Sequence, residues 1–342
     1  MIRLSHVSIP YETAERVKQM ILRGEIGQSE AIEEFEAAFA RWLGVRHCVA
    51  VSSGTMADTI ALAVLKHFYP GRNEVVVPAL TFIAQVNAIT YNGLKPVFVD
   101  HGDDPSEVVG RDTLALFPVH LLGKPVDLQG WRSLHFPIVE DSCEAMGSSF
   151  FNKSCGAVGE MGTFSFFPSH TISTGEGGMI TTNSEDLANM ARRMRNHGKI
   201  SSADFHFDVI GFNGKMTAIQ AAIGLGMVRE LDSIIKRRRQ VFFELGGEEK
   251  PGEFISPHAF PVICESEQRR DSLLQHFRAA GIECRNLFSS IPTQEKAYAH
   301  LGHKLGDFPV AEDIGRRGLY VPCHSGLRAE DIQKIKAVLS EA

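Results

Sequence analysis

The sequence is short of several features that would decide its class early. Its six cysteines, in 342 residues, form no CxxC pair and no zinc-ligand spacing, so neither a disulfide framework nor a metal site is expected. They read as reduced thiols. The N-terminal stretch Met1 to Val17 lacks the apolar core of a signal peptide, and the expected location is cytoplasmic. No uninterrupted apolar run reaches the length of a bilayer span, so no membrane partner is expected. An excess of basic residues is missing too: 35 Lys and Arg against 41 Asp and Glu leave a formal charge of −6. That excludes a stripe able to neutralise a phosphate backbone, and nucleic acid is not an expected partner. The densest basic run, Lys236-Arg237-Arg238-Arg239, has no interleaved aromatics and reads as the solvated face of a helix. Internal repeats and low-complexity segments are absent as well.

What is present is an alternation of short apolar strands with amphipathic helices. Helical spacing over Tyr11 to Leu22 and Ile32 to Leu43 opens the chain. A strand over His47 to Ser52, the turn Ser53-Gly54-Thr55 and a helix from Met56 to Phe68 follow. Further strands are predicted at Glu74 to Val77, Pro96 to Val99, Leu114 to Val119 and Pro137 to Val139, with a helix over Phe82 to Tyr91. Such alternation implies an α/β fold with a mostly parallel sheet covered on both faces. We expect a large α/β domain over residues 1–231. A smaller α+β domain is expected over 232–342, with a strand over Ala259 to Cys264 and helices over Arg237 to Leu245, Arg270 to Ala280 and Ala329 to Leu339.

Ligands of such sheets bind beyond the carboxyl ends of the strands, which draws attention to three places. Ser53-Gly54-Thr55 is either a phosphate cradle at a helix N-terminus or an ordinary helix cap. Asp141, just after a strand and three residues before Glu144, could pair with a protonated ring nitrogen or cap the next turn. The third place runs from Gly162 to Ile180, a strand, a polar loop with glycine clusters and a second strand. Irregular loops of this kind usually carry function. Among the histidines outside it, His120 reads as a hydrogen-bonded structural residue rather than a site residue, and His197 as a cation beside a helix end.

These segments carry a resemblance. Ser53-Gly54-Thr55, Pro78-Ala79-Leu80-Thr81-Phe82, Glu140-Asp141, Phe164-Ser165-Phe166, Gly175-Glu176-Gly177-Gly178, Gly211-Phe212-Asn213 and Gly281-Ile282-Glu283-Cys284-Arg285 stand in the order and spacing of the DegT/StrS family. That family comprises nucleotide-sugar aminotransferases and dehydratases dependent on pyridoxal 5′-phosphate. The resemblance implies the fold type I architecture of aspartate aminotransferase. It also implies that Gly54, Thr55 and Ser165 hold the cofactor phosphate, Phe82 stacks on the ring and Asp141 pairs with its nitrogen. Asn213 would reach the cofactor of a neighbouring subunit, which makes a homodimer the expected unit. Arg285 is either a contact for the nucleotide phosphates of the substrate or a surface arginine.

One position departs from the aminotransferase pattern. His170 stands where those relatives carry the lysine that binds the cofactor covalently and moves a proton. Imidazole forms no stable Schiff base, yet it serves as a general acid and base near neutral pH. A histidine here resembles the 3-dehydratase branch, such as GDP-4-keto-6-deoxy-D-mannose 3-dehydratase, which binds pyridoxamine 5′-phosphate. Glu144, where aminotransferases usually carry glutamine, points the same way. The expectation is therefore a lyase that removes the C3 hydroxyl of a nucleotide-linked 4-keto-6-deoxy sugar. His170, Glu144 and Asp141 would be its catalytic residues, L-glutamate its amino donor, and pyridoxal or pyridoxamine phosphate its non-covalent cofactor. Closely grouped cysteines are lacking, so no iron-sulfur cluster is expected. The segment Asn286 to Gln294 instead resembles the aminotransferase branch. One alternative is thus a sugar aminotransferase whose lysine is replaced, by nature or by design. A second is a non-catalytic B6-binding or sugar-sensing protein.

Overall fold

The computed structural model describes residues 1–200, 205–288 and 291–340. Ser289 and Ser290, part of the segment that resembles the aminotransferase branch, lie outside the described residues. Helices α1 (Tyr11–Leu22) and α2 (Glu30–Leu43) come first. The Ser29 side chain caps α2 by accepting from the Ala31 N–H, and Gly44 ends it in the left-handed region at φ 84°. Then β1 (His47–Val51), α3 (Gly54–Phe68), β2 (Glu74–Pro78), α4 (Ile83–Tyr91), β3 (Lys95–Val99), β4 (Thr113–Leu116), α5 (Gln129–Ser133) and β5 (Val139–Asp141) follow in turn. A short hairpin, β6 (Ser149–Phe150) and β7 (Lys153–Ser154), precedes β8 (Met161–Ser165), β9 (Gly178–Thr182), α6 (Glu185–Arg195) and the long α7 (Ala218–Glu244).

Parallel pairing joins β3 to β2 and β2 to β4, and isolated parallel bridges, Leu116 to Ile138 and Val119 to Asp141, carry the sheet on to β5. From β5 it continues through a parallel pair with β8, then antiparallel pairs from β8 to β9 and from β9 to β1. The sheet is thus mostly parallel, with an antiparallel flank. Strand β4 is shorter than the run Leu114 to Val119 suggests, because Pro118 has no N–H to donate; its carbonyl instead accepts from the Asp141 N–H at 2.9 Å.

Side chains of β1 alternate between two cores. Val49 and Val51 enter a core with Ile60, Leu65, Val77 and Ile180, while Cys48 and Ala50 face Phe35, Phe39, Phe164 and Met179 on the other side. Burial on both faces explains why these strands read as continuous apolar runs. Because β1 and β8 both run antiparallel to β9, the carboxyl ends of β1, β2, β5 and β8 open on one edge, and the candidate site lies there.

The C-terminal part comprises β10 (Glu253–Phe254), β11 (Phe260–Ile263), α8 (Glu267–Ala279), β12 (Arg285–Asn286), α9 (Pro309–Arg317), β13 (Gly318–Val321) and α10 (Ala329–Leu339). Its antiparallel sheet, β11-β13-β12, packs Leu319 and Val321 against Phe277, Ile332 and Ile335. The expected boundary at residue 231 falls inside α7. This helix feeds the large core through Leu231 and Ile235 and the smaller one from Val241 onward. At the other end of the chain, Ile2 bridges to Ile282 and packs on the smaller core.

Candidate active site

The start of α3 forms one wall. Ser53 caps it by accepting from the Met56 N–H at 3.1 Å, which leaves the first amides of a 15-residue helix free to meet an anion. Two glycines let three segments converge there. A Cβ on Gly54 would sit 2.7 Å from the Cβ of Ser165 and 3.1 Å from the Cys143 Sγ, and one on Gly178 would overlap the backbone oxygen of Ser53. Ser165, at the end of β8, is buried and its Oγ accepts from the Phe167 N–H at 3.3 Å. Thr55, on the first turn of α3, is half-buried.

Asp141 ends β5 on the floor of the site. Its Oδ1 accepts from the Cys143 N–H at 3.0 Å. Burial pushes its carboxyl up to about 6, against the hydrogen bonds from Cys143, with the Glu144 charge adding to the rise. Glu144 accepts from the Leu122 N–H at 2.7 Å, and burial pushes it up to about 7. Its other oxygen is 3.9 Å from the His258 Nε2. The Leu122 carbonyl in turn accepts from the His258 backbone N–H at 3.1 Å, so the backbone of one residue meets both Glu144 and His258.

His170 lies in the loop after β8, where its N–H closes a turn on the Phe167 carbonyl at 2.9 Å. Its ring rests on that of His258, centroids 5.1 Å apart. The Nδ1 atom is buried with no hydrogen-bond partner among the described residues. Burial, then the neighbouring His258, then Arg238 hold His170 well below the usual histidine range, and burial with Arg238 takes His258 down to about 3. Both rings are neutral at physiological pH.

Arg238 corrects the reading of the basic run as a solvated face. The fold buries this guanidinium: it donates to the carbonyls of Pro257 and His258 at 3.0 Å, of His170 at 3.2 Å and of Cys323 at 3.4 Å. No acidic side chain pairs with it among the described residues. Sequence reasoning missed both Arg238 and His258, because neither carries a local motif and they meet His170 only through the fold. His120 is fixed elsewhere. Its Nδ1 accepts from the Val126 N–H at 2.9 Å and its Nε2 faces Glu140 at 3.0 Å, which makes Nε2–H the donor to that carboxylate.

Gly54, Ser165, Asp141, Glu144 and His170 are therefore brought together; three other candidates are not tied to them. Phe82 is exposed just before α4. Asn213 accepts from the Lys215 ammonium at 2.7 Å. Arg285 is exposed on β12, 3.3 Å from Glu283 and beside Tyr320. Among the described residues no hydrogen bond or ion pair joins these three to the others. The central arrangement fits a phosphorylated pyridine: a helix start for the phosphate, with glycines where a Cβ would block it, and a buried carboxyl for the ring nitrogen.

A family model described as the DegT/DnrJ/EryC1/StrS aminotransferase family matches residues 8–340. The chain belongs to that family. Within the DegT/DnrJ/EryC1/StrS family it is 36% identical over 338 residues to a GDP-perosamine synthase of Caulobacter vibrioides, a match covering 91% of this chain and 89% of that protein. It is 33% identical to a UDP-N-acetyl-3-dehydro-alpha-D-glucosamine 3-aminotransferase of Acidithiobacillus ferrooxidans, covering 89% of this chain and 86% of that one. The fold superposes on S. venezuelae DesV with a TM-score of 0.89 and 29% identity over 98% of both chains. The architecture is therefore fold type I of the pyridoxal-phosphate enzymes, as expected from the motifs.

The same comparisons overturn the expected 3-dehydratase and its lyase class. DegT/DnrJ/EryC1/StrS relatives that match nearly the whole chain are named as a perosamine synthase and an aminotransferase, which favours the aminotransferase alternative. Physically, a residue at the point of cofactor attachment bears on how the cofactor is held and does not by itself decide which group leaves the sugar. No helix among the described residues is long and apolar enough to cross a membrane.

Proposed function

We propose that this chain transfers an amino group to a nucleotide-linked keto-sugar with pyridoxal or pyridoxamine 5′-phosphate held without a covalent bond. L-glutamate is the donor and the working unit is a homodimer. What supports this reading is that relatives matching nearly the whole chain are named as an aminotransferase and a perosamine synthase, together with a buried imidazole, His170, where the family's motifs lead one to expect the lysine.

When bound, the cofactor supplies a protonated pyridine ring that draws electrons from the carbon bearing the transferred amino group. Asp141 accepts the ring N–H and must be ionised to do so. The amides at the start of α3, with Ser165, hold the phosphate. His170 would take a proton at the cofactor's C4′ and return one to the sugar carbon, a task for a neutral base. With no lysine amine at this position, water releases the product. Glu144, poised near 7, exchanges the proton that this water needs to give up. At the rim, Phe82 covers the ring, Arg285 meets the nucleotide phosphates, and Asn213 reaches the phosphate held by the neighbouring subunit.

The test is product analysis with glutamate carrying an isotopic nitrogen label and a panel of nucleotide-linked 4-keto sugars. Label recovered in the nucleotide-sugar supports amino transfer. A product that contains no label contradicts it.

A further inference from the structure

One turn into α3 from Gly54, among the fully buried apolar residues Ala57, Ile60 and Ala61, stands an acid. Asp58 is 1% exposed. Its carboxyl, that of Asp141 and the Cys143 thiol lie within 4.8 Å of one another. Thr163 hydrogen-bonds to it, yet its Oδ1 has no partner among the described residues. Two carboxylates so close and so deeply buried cannot both stay charged, and such a pair holds one proton between them.

The groups that face Asp58 from the strands packed on α3 relieve this repulsion only in part. Across from it are Asp141 and Cys143, and behind Asp141 stand Glu144, which adds to the repulsion, and His120, which offsets it. Burial first, and the Asp141 charge second, push the Asp58 carboxyl well up. Asp141 accepts the Cys143 N–H, which favours its ionised form, whereas the Asp58 Oδ1 has no such donor among the described residues, so the proton sits on Asp58. The Cys143 thiol, raised by burial and by both acids, keeps its own proton and does not act as a thiolate ligand.

We propose that Asp58 is a positioning residue for the pyridine end of the site: its protonated carboxyl donates to Asp141 and holds that carboxylate aimed at the ring nitrogen. The inference rests on the cofactor reading above and adds a residue to it. It leaves one negative charge, not two, opposite one pyridinium. The hydrogen bond also draws electron density from Asp141, so the shared proton of the Asp141–pyridine contact stays on the ring.

Two variants and two readouts test this. Asp58→Asn keeps a neutral donor of the same shape, and Asp58→Leu removes the donor. Infrared spectra of the cofactor-free protein at pH 9, where Asp141 and Glu144 are ionised, should contain a protonated-carboxyl stretch that Asp58→Asn abolishes. Pyridoxamine phosphate should bind wild type and Asp58→Asn with equal Kd. It should bind Asp58→Leu about tenfold more weakly, as expected for one lost hydrogen bond, with the absorption of the bound ring moved toward its unprotonated form. Should Asp58→Leu not fold, the infrared band and the Asp58→Asn affinity decide the matter. An unchanged carboxyl band in Asp58→Asn, or tenfold weaker binding by that variant, overturns the proposal by making the charge of Asp58 the active feature. Normal cofactor binding by Asp58→Leu overturns it as well and leaves the cofactor reading intact. Failure of the wild type to bind the cofactor overturns both.

Discussion

The imidazole rings of His170 and His258 lie 5.1 Å apart, tilted by 51°, and the Arg238 guanidinium donates to the backbone carbonyls of both residues. A buried cation beside two buried imidazoles keeps both uncharged, since a further positive charge would be repelled and poorly solvated. In the proposed function His170 is thus a base that needs no deprotonation before it acts.

A lysine restored at this point should regain the covalent link. Its amine would meet the same burial and the same Arg238, which depress an ammonium toward the reactive neutral form. After borohydride treatment with pyridoxal phosphate, His170→Lys should carry one cofactor per chain by mass, while the wild type releases its cofactor on denaturation. A reducible adduct in the wild type would place the anchoring amine elsewhere.

Affinity for the cofactor should fall in acid. Asp141 serves the pyridinium only when ionised and has a value of about 6 in the free protein, so affinity should hold above pH 7 and drop by up to about tenfold per pH unit below 6. Fluorescence titration between pH 5 and 8 checks this, and Asp141→Asn should bind weakly with no such dependence.

The same carboxyls give an opposite sign for stability. Asp141 and Glu144 have raised values in the folded chain, so the folded state keeps protons that the unfolded state has already lost between about pH 4 and 7, and the cofactor-free protein loses stability as pH rises through that window. Asp141→Asn should therefore raise the melting temperature of cofactor-free protein at pH 7.5 by roughly 2–5 °C while weakening cofactor binding. A lower melting temperature would show that the ionised carboxylate is well solvated or paired.

Removing the buried guanidinium should be costly. Arg238→Met leaves four carbonyl groups without their donor, and we expect a loss of roughly 2–4 kcal/mol in urea unfolding. His258, relieved of its neighbouring cation, should titrate above its present value of about 3 in NMR spectra. Unchanged stability would mean that water replaces the guanidinium.

The phosphate cradle is equally specific. A methyl group on Gly178 meets the backbone oxygen of Ser53, not a flexible side chain, and so must push β9 from the start of α3. Gly178→Ala should lower cofactor affinity at least about tenfold with the fold retained, as judged by circular dichroism and calorimetry.

Much of this was legible in the sequence because it is local. Ser53-Gly54 at the end of β1 and Asp141 at the end of β5 announce themselves by position, since a strand end followed by a glycine or an acid is visible without a fold. His258 and Arg238 were not legible: they sit 88 and 68 residues from His170 and reach it through the packing of α7 and the segment before β11. Arg238 was disguised by three basic neighbours, and Asp58 by the apolar helix around it. The reaction class was misread because the lysine position reports cofactor attachment, whereas the sugar's fate is set by substrate contacts spread over distant segments.

The central claim is that His170 moves the proton at the carbon bearing the transferred amino group. Pyridoxamine phosphate deuterated at C4′, incubated with the protein and a nucleotide-linked keto-sugar, measures it directly. The wild type should wash deuterium into solvent as it turns over, and His170→Ala should bind the cofactor with similar affinity yet lose at least about 100-fold in exchange rate. Exchange by His170→Ala at the wild-type rate would contradict the account.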